Sequence, residues 1–148
     1  MKEPSNLLVG KAFISPRAII RADLQIIRIG NFSIISDKAI LSPGAKSDFK
    51  FANLTIENYV IIGNESVIKG SIIRSGARVG KRCVVREGCI INKNAVLLDN
   101  SVLPRNTVIP QFCVFGGKPA KFIKRLPWTI QTEHIIEAIR LYESIVVK

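Results

Sequence analysis

Large apolar residues recur at every sixth position along the second half of the chain. A small side chain lies four residues after most of them. A period of six does not fit an α-helix, and it predicts strands of about three residues separated by corners of about three. Three such units would make one triangular coil of about 18 residues, with the large and the small residue both pointing inward. The large series is Ile73, Val79, Val85, Ile91, Leu97, Leu103, Ile109 and Phe115, and the small series is Ala77, Cys83, Cys89, Ala95, Ser101, Thr107 and Cys113.

Two earlier runs share this register. The first runs from Ile29 to Leu41 and the second from Ile56 to Ile68. An insertion at residues 43–53 separates the two runs, and the step from Ile68 to Ile73 is five residues instead of six. The pattern therefore predicts an all-β solenoid over residues 1–126, interrupted by one insertion loop at 43–53.

The periodicity changes after Pro127. Apolar residues such as Ile135, Ala138, Ile139 and Tyr142 then recur at spacings of three and four, which is typical of an amphipathic helix. We predict a C-terminal helix within residues 127–148, with Thr129 or Thr132 as its N-cap, packed against an outer face of the coils.

Composition narrows the class of protein. The chain has 148 residues, 47% of them hydrophobic, which suits one domain with its own core. No apolar run reaches the length of a membrane span, and we expect no secretion signal. Cys83, Cys89 and Cys113 all fall at the small inward position, so we expect them to be small hydrophobic groups in a reducing compartment. The single histidine, His134, lies in the predicted helix, which argues against histidine-based zinc or acid–base chemistry on the coils.

The residue before each inward apolar position should point outward, and many of these residues are aliphatic. One interpretation is that β-branched residues favour strands wherever they lie. The other is that another protein chain buries at least one face. The net charge of +11 leaves a generally basic surface or an acidic protein partner open, whereas no nucleic-acid-binding motif is present. The predicted partner interface comprises Val84, Val96, Val102, Val114, Arg74 and Arg78.

The repeat resembles that of the hexapeptide-repeat family, and this resemblance implies a left-handed parallel β-helix. The segment from Ile19 to Asp23 is similar to the opening segment of the γ-carbonic anhydrase branch, which binds zinc through three histidines. The matching positions here are Ser42, Asn64 and Lys69, and these side chains do not form a three-nitrogen zinc site. We therefore predict no metal, and we expect Arg21 and Asp23 to form a structural ion pair.

The segment from Gly116 to Lys124 resembles the end of the β-helix in hexapeptide-repeat acyltransferases. Those enzymes generally use a coil or loop histidine as the general base, and this chain has none. A homotrimeric acyltransferase or γ-carbonic anhydrase-like enzyme is therefore the alternative function, with no catalytic or cofactor-binding residue to assign.

The segment from Leu97 to Phe115 resembles the dynactin subunit 5 family, and the likeness extends over nearly the whole chain. It implies a non-catalytic structural subunit without a cofactor, placed in the pointed-end complex beside a related β-helix subunit. The resemblance further implies help in attaching cargo adaptors to the dynein motor, and a cytoplasmic, cytoskeleton-associated location. No nucleic acid is expected among the partners.

Overall fold

The computed structural model describes residues 6–22, 25–43 and 53–146 of the chain. These residues form a parallel β-solenoid of about five coils, followed by one α-helix. Asp23, and residues 44–52 of the expected insertion loop, lie outside the described residues. Each complete coil contributes one short strand to each of three sheets, in which the strands of successive coils run parallel, because the chain turns a corner after every strand.

The strands are numbered in chain order and belong to three sheets. The first sheet contains β1 (Leu7–Val9), β4 (Ile27–Ile29), β7 (Leu54–Ile56), β10 (Ile72–Ile73), β13 (Ile90–Ile91) and β16 (Val108–Ile109). The second contains β2 (Phe13–Ile14), β5 (Ile34–Ile35), β8 (Ile61–Ile62), β11 (Arg78–Val79), β14 (Val96–Leu97), β17 (Cys113–Gly117) and β18 (Ala120–Arg125). The third contains β3 (Ile19–Ile20), β6 (Ile40–Ser42), β9 (Val67–Lys69), β12 (Val84–Val85) and β15 (Val102–Leu103).

The register of the strands explains the irregular steps of the repeat. Ile72 pairs with Ile90, and Ile90 pairs with Val108, so successive coils are 18 residues apart (90 − 72 = 18). Across the five-residue step, Thr55 pairs with Ile72, 17 residues on. The strands remain paired across this step, and the same strand positions point inward on both sides of it. The step is therefore shorter by one residue at a corner and not within a strand.

The inward residues build one continuous apolar column along the stack. Ile62, Leu97 and the other large members of the hexad series up to Ile109 are at most 2% exposed. Burying each such side chain contributes roughly 1.5–3 kcal/mol. The column extends one coil further toward the N-terminus than the hexad runs, which begin at Ile29, and includes Ile14 and Ile20. These two residues are also six apart.

The residues at the small inward positions help to fill the core, and some of them also form hydrogen bonds with backbone groups at the corners. The Ser66 hydroxyl donates to the Gly80 carbonyl (2.6 Å) and accepts from the Cys83 N–H (3.0 Å). The Cys83 thiol donates to the Leu98 carbonyl (3.0 Å), and the Cys89 thiol to the Pro104 carbonyl (2.9 Å). All three cysteines are buried and free, as expected, but two of them serve as donors as well as small hydrophobic groups.

Glycines occupy two corners at which the backbone is left-handed. Gly76 and Gly88 have φ values of +78° and +77°. A Cβ at either glycine would lie 2.2 Å from the Oδ1 atom of an asparagine in the next coil, Asn94 or Asn106. Glycine suits these two corners because it adopts a positive φ at no steric cost, although Tyr59 and Asn94 adopt the same conformation at corners equivalent to Gly76.

The C-terminal helix, α1 (Ile130–Val146), packs along the second sheet and contacts β2 and β5. Its 17 residues extend about 25 Å, which matches about five coils spaced about 4.8 Å apart. His134, Ala138 and Tyr142 form its buried side. Since the helix begins at Ile130, Thr129 occupies the N-cap position and Thr132 lies in the first turn. The division of the chain into residues 1–126 and 127–148 stays a prediction.

Candidate protein-docking surface

Part of the second sheet is covered by the chain itself. Ile34 occupies an outward position of β5, yet it is only 1% exposed, because α1 lies over this sheet. The end of the helix is fixed by aromatic contacts: the Tyr142 ring meets the Phe32 ring edge-on, with centroids 5.3 Å apart. Phe32 in turn stacks on Tyr59, with centroids 5.9 Å apart. This face is therefore already occupied along the helix.

Arg78 is the polar centre of that contact. Its side chain is 12% exposed, and its guanidinium donates to the carbonyls of Tyr59 (2.8 Å) and His134 (2.6 Å). It also pairs with Glu137 of the helix, at 2.9 Å between Nε and Oε1. Burial lowers the pKa of Arg78 from its usual value, and the bond with Glu137 opposes that shift. Arg78 therefore joins the helix to the coils.

The third sheet has no such cover among the described residues. Its outward positions form an unbroken aliphatic column, one residue on each strand, and every member keeps part of its surface accessible. A contiguous apolar face rimmed by polar groups is typical of a protein interaction site. The column consists of Ile19, Ile40, Val67, Val84 and Val102.

The first sheet differs from the third in its outward chemistry. Arg28 and Thr55 interrupt the column near its start, so only its second half, from Ile72 to Val108, is continuously aliphatic. Of the first and third sheets, the third presents the longer apolar column.

The structure divides the predicted partner interface among several places. Val84 and Val102 are register partners on the third sheet, whereas Val96 and Val114 are register partners on the second. Val114 is 3% exposed. These assignments follow the 18-residue coil, so the spacing of 18 within each pair already carried the signal.

Arg74 lies just after β10, at the corner between the first and second sheets. Its guanidinium approaches Glu57 at 3.4 Å, and both side chains are partly exposed. The structure therefore uses Arg74 and Arg78 within the chain, and they do not adjoin the aliphatic column of the third sheet.

The three positions matched to family zinc ligands bracket the third sheet. Ser42 and Lys69 are register partners on β6 and β9, at one edge of the sheet. Asn64 lies at the corner before the sheet, and its Oδ1 atom accepts the Asp37 N–H at 3.2 Å. Asn64 therefore joins successive coils. Within residues 6–22, 25–43 and 53–146, no group of three or more His, Cys, Asp or Glu side chains could hold a metal ion.

Cys83 and Cys89 are not activated thiols. Burial raises the pKa of the Cys83 and Cys89 thiols above their usual value, so both favour the protonated form. A protonated, buried thiol is a poor nucleophile. This environment suits the donor role of the two thiols at the corners.

Sequence reasoning missed a second surface, at the end of the stack. Phe122 and Ile123 on β18, and Trp128 beyond it, are among the most exposed large apolar side chains. Their positions do not follow the six-residue repeat. The feature of the sequence that could have indicated this surface is that these apolar residues are interspersed with Lys121, Lys124 and Arg125. In the part of the chain that the structure describes, no helix is long and apolar enough to cross a membrane.

Solved structures with the same architecture are hexapeptide-repeat proteins. A hexapeptide transferase family protein from Anaplasma phagocytophilum superposes with a TM-score of 0.77 at 18% identity, over 95% of this chain and 87% of that one. A hexapeptide-repeat-containing acetyltransferase from Vibrio cholerae O1 biovar eltor, complexed with acetyl coenzyme A, gives a TM-score of 0.68 at 21% identity. That match covers 82% of this chain and 72% of the other. At these identities the likeness shows the fold alone: the molecule is a β-helix of the hexapeptide-repeat class, as predicted.

A particular family within this class also matches. The sequence profile of dynactin subunit 5 matches residues 3–147. Dynactin subunit 5 of Dictyostelium discoideum is 36% identical over 72 residues, which cover 46% of this chain and 36% of that protein. The matched region thus spans about a third of the curated relative's length. The chain belongs to the dynactin subunit 5 family, which confirms the resemblance found in the sequence.

Proposed function

We propose that this chain is a non-catalytic structural subunit of a dynactin-type complex. In this proposal its third sheet pairs with a related β-helix subunit in the pointed-end complex, and the assembly helps attach cargo adaptors to the dynein motor. A cytoplasmic, cytoskeleton-associated location follows from the same proposal. The observation that carries it is the aliphatic column of the third sheet, for which the chain supplies no cover among the described residues.

The charged residues beside the third sheet indicate which chemical groups the partner's surface should carry. Arg21, Lys69 and Arg86 occupy equivalent places at one edge of the third sheet, beside the aliphatic column. A partner that buries this face should therefore present an apolar stripe flanked by carboxylates. Complementary charge of this kind mainly sets the rate and specificity of association, whereas apolar burial supplies most of the affinity.

The residues give little support to an enzymatic alternative. The only histidine lies on α1, where it is buried, and its backbone carbonyl serves Arg78. The positions matched to zinc ligands carry a hydroxyl, an amide and an ammonium group. A non-catalytic role accounts for this side-chain set better than acyl transfer or zinc-assisted hydration does.

The test compares two pairs of substitutions that change the same chemistry on different faces. Val84→Glu with Val102→Glu places two carboxylates on adjacent strands of the third sheet. Ile90→Glu with Val108→Glu does the same on the first sheet and is the matched control. Each tagged full-length chain is purified from its native cells, and co-purifying chains are identified by mass spectrometry. We expect the third-sheet pair to lose a related β-helix subunit and the first-sheet pair to retain it.

Circular dichroism of both double variants establishes that each remains folded. Equal recovery of the β-helix partner with both pairs would contradict the use of the third sheet. Purification of the unmodified chain as a homotrimer, about three times its 16.4 kDa mass, with acetyl-CoA bound would instead favour the enzymatic alternative.

A further inference from the structure

The last two strands form an antiparallel hairpin at the end of the stack. β18 pairs with β17, for example Gly116 with Lys121 and Phe115 with Phe122. The Leu126 N–H then donates to the Phe112 carbonyl, which continues the antiparallel pairing one residue beyond Arg125. β18 is the outermost strand of the second sheet, with a strand partner on one side only among the described residues.

An outermost strand offers unpaired backbone groups along its free edge. In an antiparallel pair, roughly half of the N–H and C=O groups of each strand point away from the partner. β18 has six residues, twice the length or more of most strands in this molecule. Five of them, residues 121–125, are exposed, so the rest of the described chain leaves most of this strand uncovered.

The side chains at this edge combine exposed apolar groups with positive charge. Phe122 is 57% exposed, Ile123 is 50% exposed, and Trp128 just beyond the strand is 77% exposed. Lys121 and Lys124 lie on the same strand. The sequence contains no Asp or Glu between Asp99 and Glu133, so no acidic neighbour in sequence offsets this charge.

Proteins often place lysine on edge strands to prevent pairing with other copies of themselves. The same charge acts differently on an acidic strand, which it attracts. Exposed aromatic and aliphatic side chains also do nothing to keep an edge solvated, whereas they would give an added strand an apolar surface. The edge therefore disfavours a second copy of this chain and favours an oppositely charged segment.

We propose that the free edge of β18 binds an extended acidic segment of another protein by β-strand addition. Backbone hydrogen bonds along the edge would hold the segment in register. Its carboxylates would face the lysines of β18, which pair with Gly116 and Val114 and therefore share one face, and its alternate apolar side chains would pack against Phe122 on the other face. This surface is separate from the third sheet, so its occupant need not be the β-helix partner proposed above.

The probe is a fluorescein-labelled peptide of eight residues that alternates glutamate and valine, titrated with the full chain by fluorescence anisotropy. The variant Lys121→Glu with Lys124→Glu reverses the charge of the edge. Lys81→Glu with Lys93→Glu makes the same change at two exposed corners and is the matched control. The emission of Trp128, the only tryptophan, reports on the edge independently of the label.

We expect charge reversal at β18 to weaken peptide binding at least about tenfold and the control pair to weaken it less than about twofold. A peptide N-methylated at alternate residues keeps its charge but loses backbone donors, and we expect a similar loss, since strand addition depends on those donors. Because the second comparison alters the peptide and not the protein, it does not depend on how the variants fold.

Three results would overturn the proposal. The first is no binding of the peptide by the unmodified chain at low salt. The second is equal binding of the N-methylated and the parent peptide, which would reduce the contact to charge alone. The third is tighter binding of vesicles of phosphatidylcholine and phosphatidylserine than of the peptide, sensitive to the same charge reversal, which would assign the edge to a lipid surface.

Discussion

The second and third sheets are made from the same repeat, yet they have different outer surroundings. Ile34 and Ile40 hold equivalent outward positions on successive strands of one coil. Ile34 is buried beneath α1, whereas Ile40 remains partly exposed on the third sheet. The repeat thus fixes what lies inside the coils, while residues after the repeat decide which outer face the chain covers itself.

Arg78 shows how hydrogen bonds hold the helix against the second sheet. A buried guanidinium is costly unless its donors are satisfied. On the second sheet the helix supplies the His134 carbonyl and the Glu137 carboxylate, and the corners supply further carbonyls. The outward column of the third sheet contains no polar residue. Contacts to this column are therefore apolar and non-directional, so hydrogen bonds cannot hold a helix on it as they do on the second sheet.

The largest expected effect comes from shortening Ile34. Ile34→Ala leaves a cavity between the sheet and α1, and we expect the free energy of unfolding to fall by about 2–4 kcal/mol. Ile40→Ala removes the same atoms from the uncovered face, where water can fill the space, and should cost less than about 1 kcal/mol. Urea unfolding followed by circular dichroism measures both. Equal losses would mean that α1 does not bury this face in solution.

The next effect concerns the polar centre of the covered face. Arg78→Ala leaves buried carbonyls and the Glu137 carboxylate without their donor, and we expect a loss of roughly 2 kcal/mol in the free energy of unfolding. Arg82→Ala removes an exposed arginine whose ion pair with Glu65 is 3.8 Å long, so its cost should stay below about 0.5 kcal/mol.

Arg78→Lys sharpens the same measurement. A lysine keeps the charge but cannot serve carbonyls on the coils and on the helix together. We therefore expect it to recover only part of the stability lost in Arg78→Ala. Full recovery would show that charge alone, and not the shape of the guanidinium, holds the helix in place.

Much of the fold follows from the sequence because the repeat is locally consistent. Every inward hexad residue from Ile73 to Ile109 is a large apolar side chain at the same position of its strand. The five-residue step shortens a corner without interrupting the pairing of the strands. The first coil was harder to find. Between the inward residues Ile20 and Ile29 the step is nine residues instead of six, so Ile14 and Ile20 stand outside the continuous series.

The docking surface is harder to predict from the sequence than the fold, because a period of six does not by itself distinguish the three faces of the coil. Val84 and Val96 look alike in sequence, yet they lie on different sheets. Assigning each residue to its sheet requires counting along the chain in coils of 18 residues. Knowing which sheet is covered requires the position of α1, and that depends on long-range contacts such as those of Arg78 with Glu137 and of Phe32 with Tyr142. These contacts join residues more than fifty positions apart and leave no local pattern.

The smallest expected effect is a pH dependence confined to the covered face. Burial, and then the charge of Arg78, lower the pKa of His134 below its usual value of 6.5, while Glu137 and Glu133 oppose the shift. The unfolded chain therefore binds a proton in a range where the folded chain does not, so the free energy of unfolding should fall as pH drops below about 6.5. Because His134 is the only histidine, His134→Gln should flatten this dependence between pH 7 and 5, within about the usual range of histidine titration. Thermal unfolding at several pH values measures it, with Ile40→Ala as a control that keeps the histidine. An unchanged slope in His134→Gln would assign the loss to carboxylates and not to this histidine.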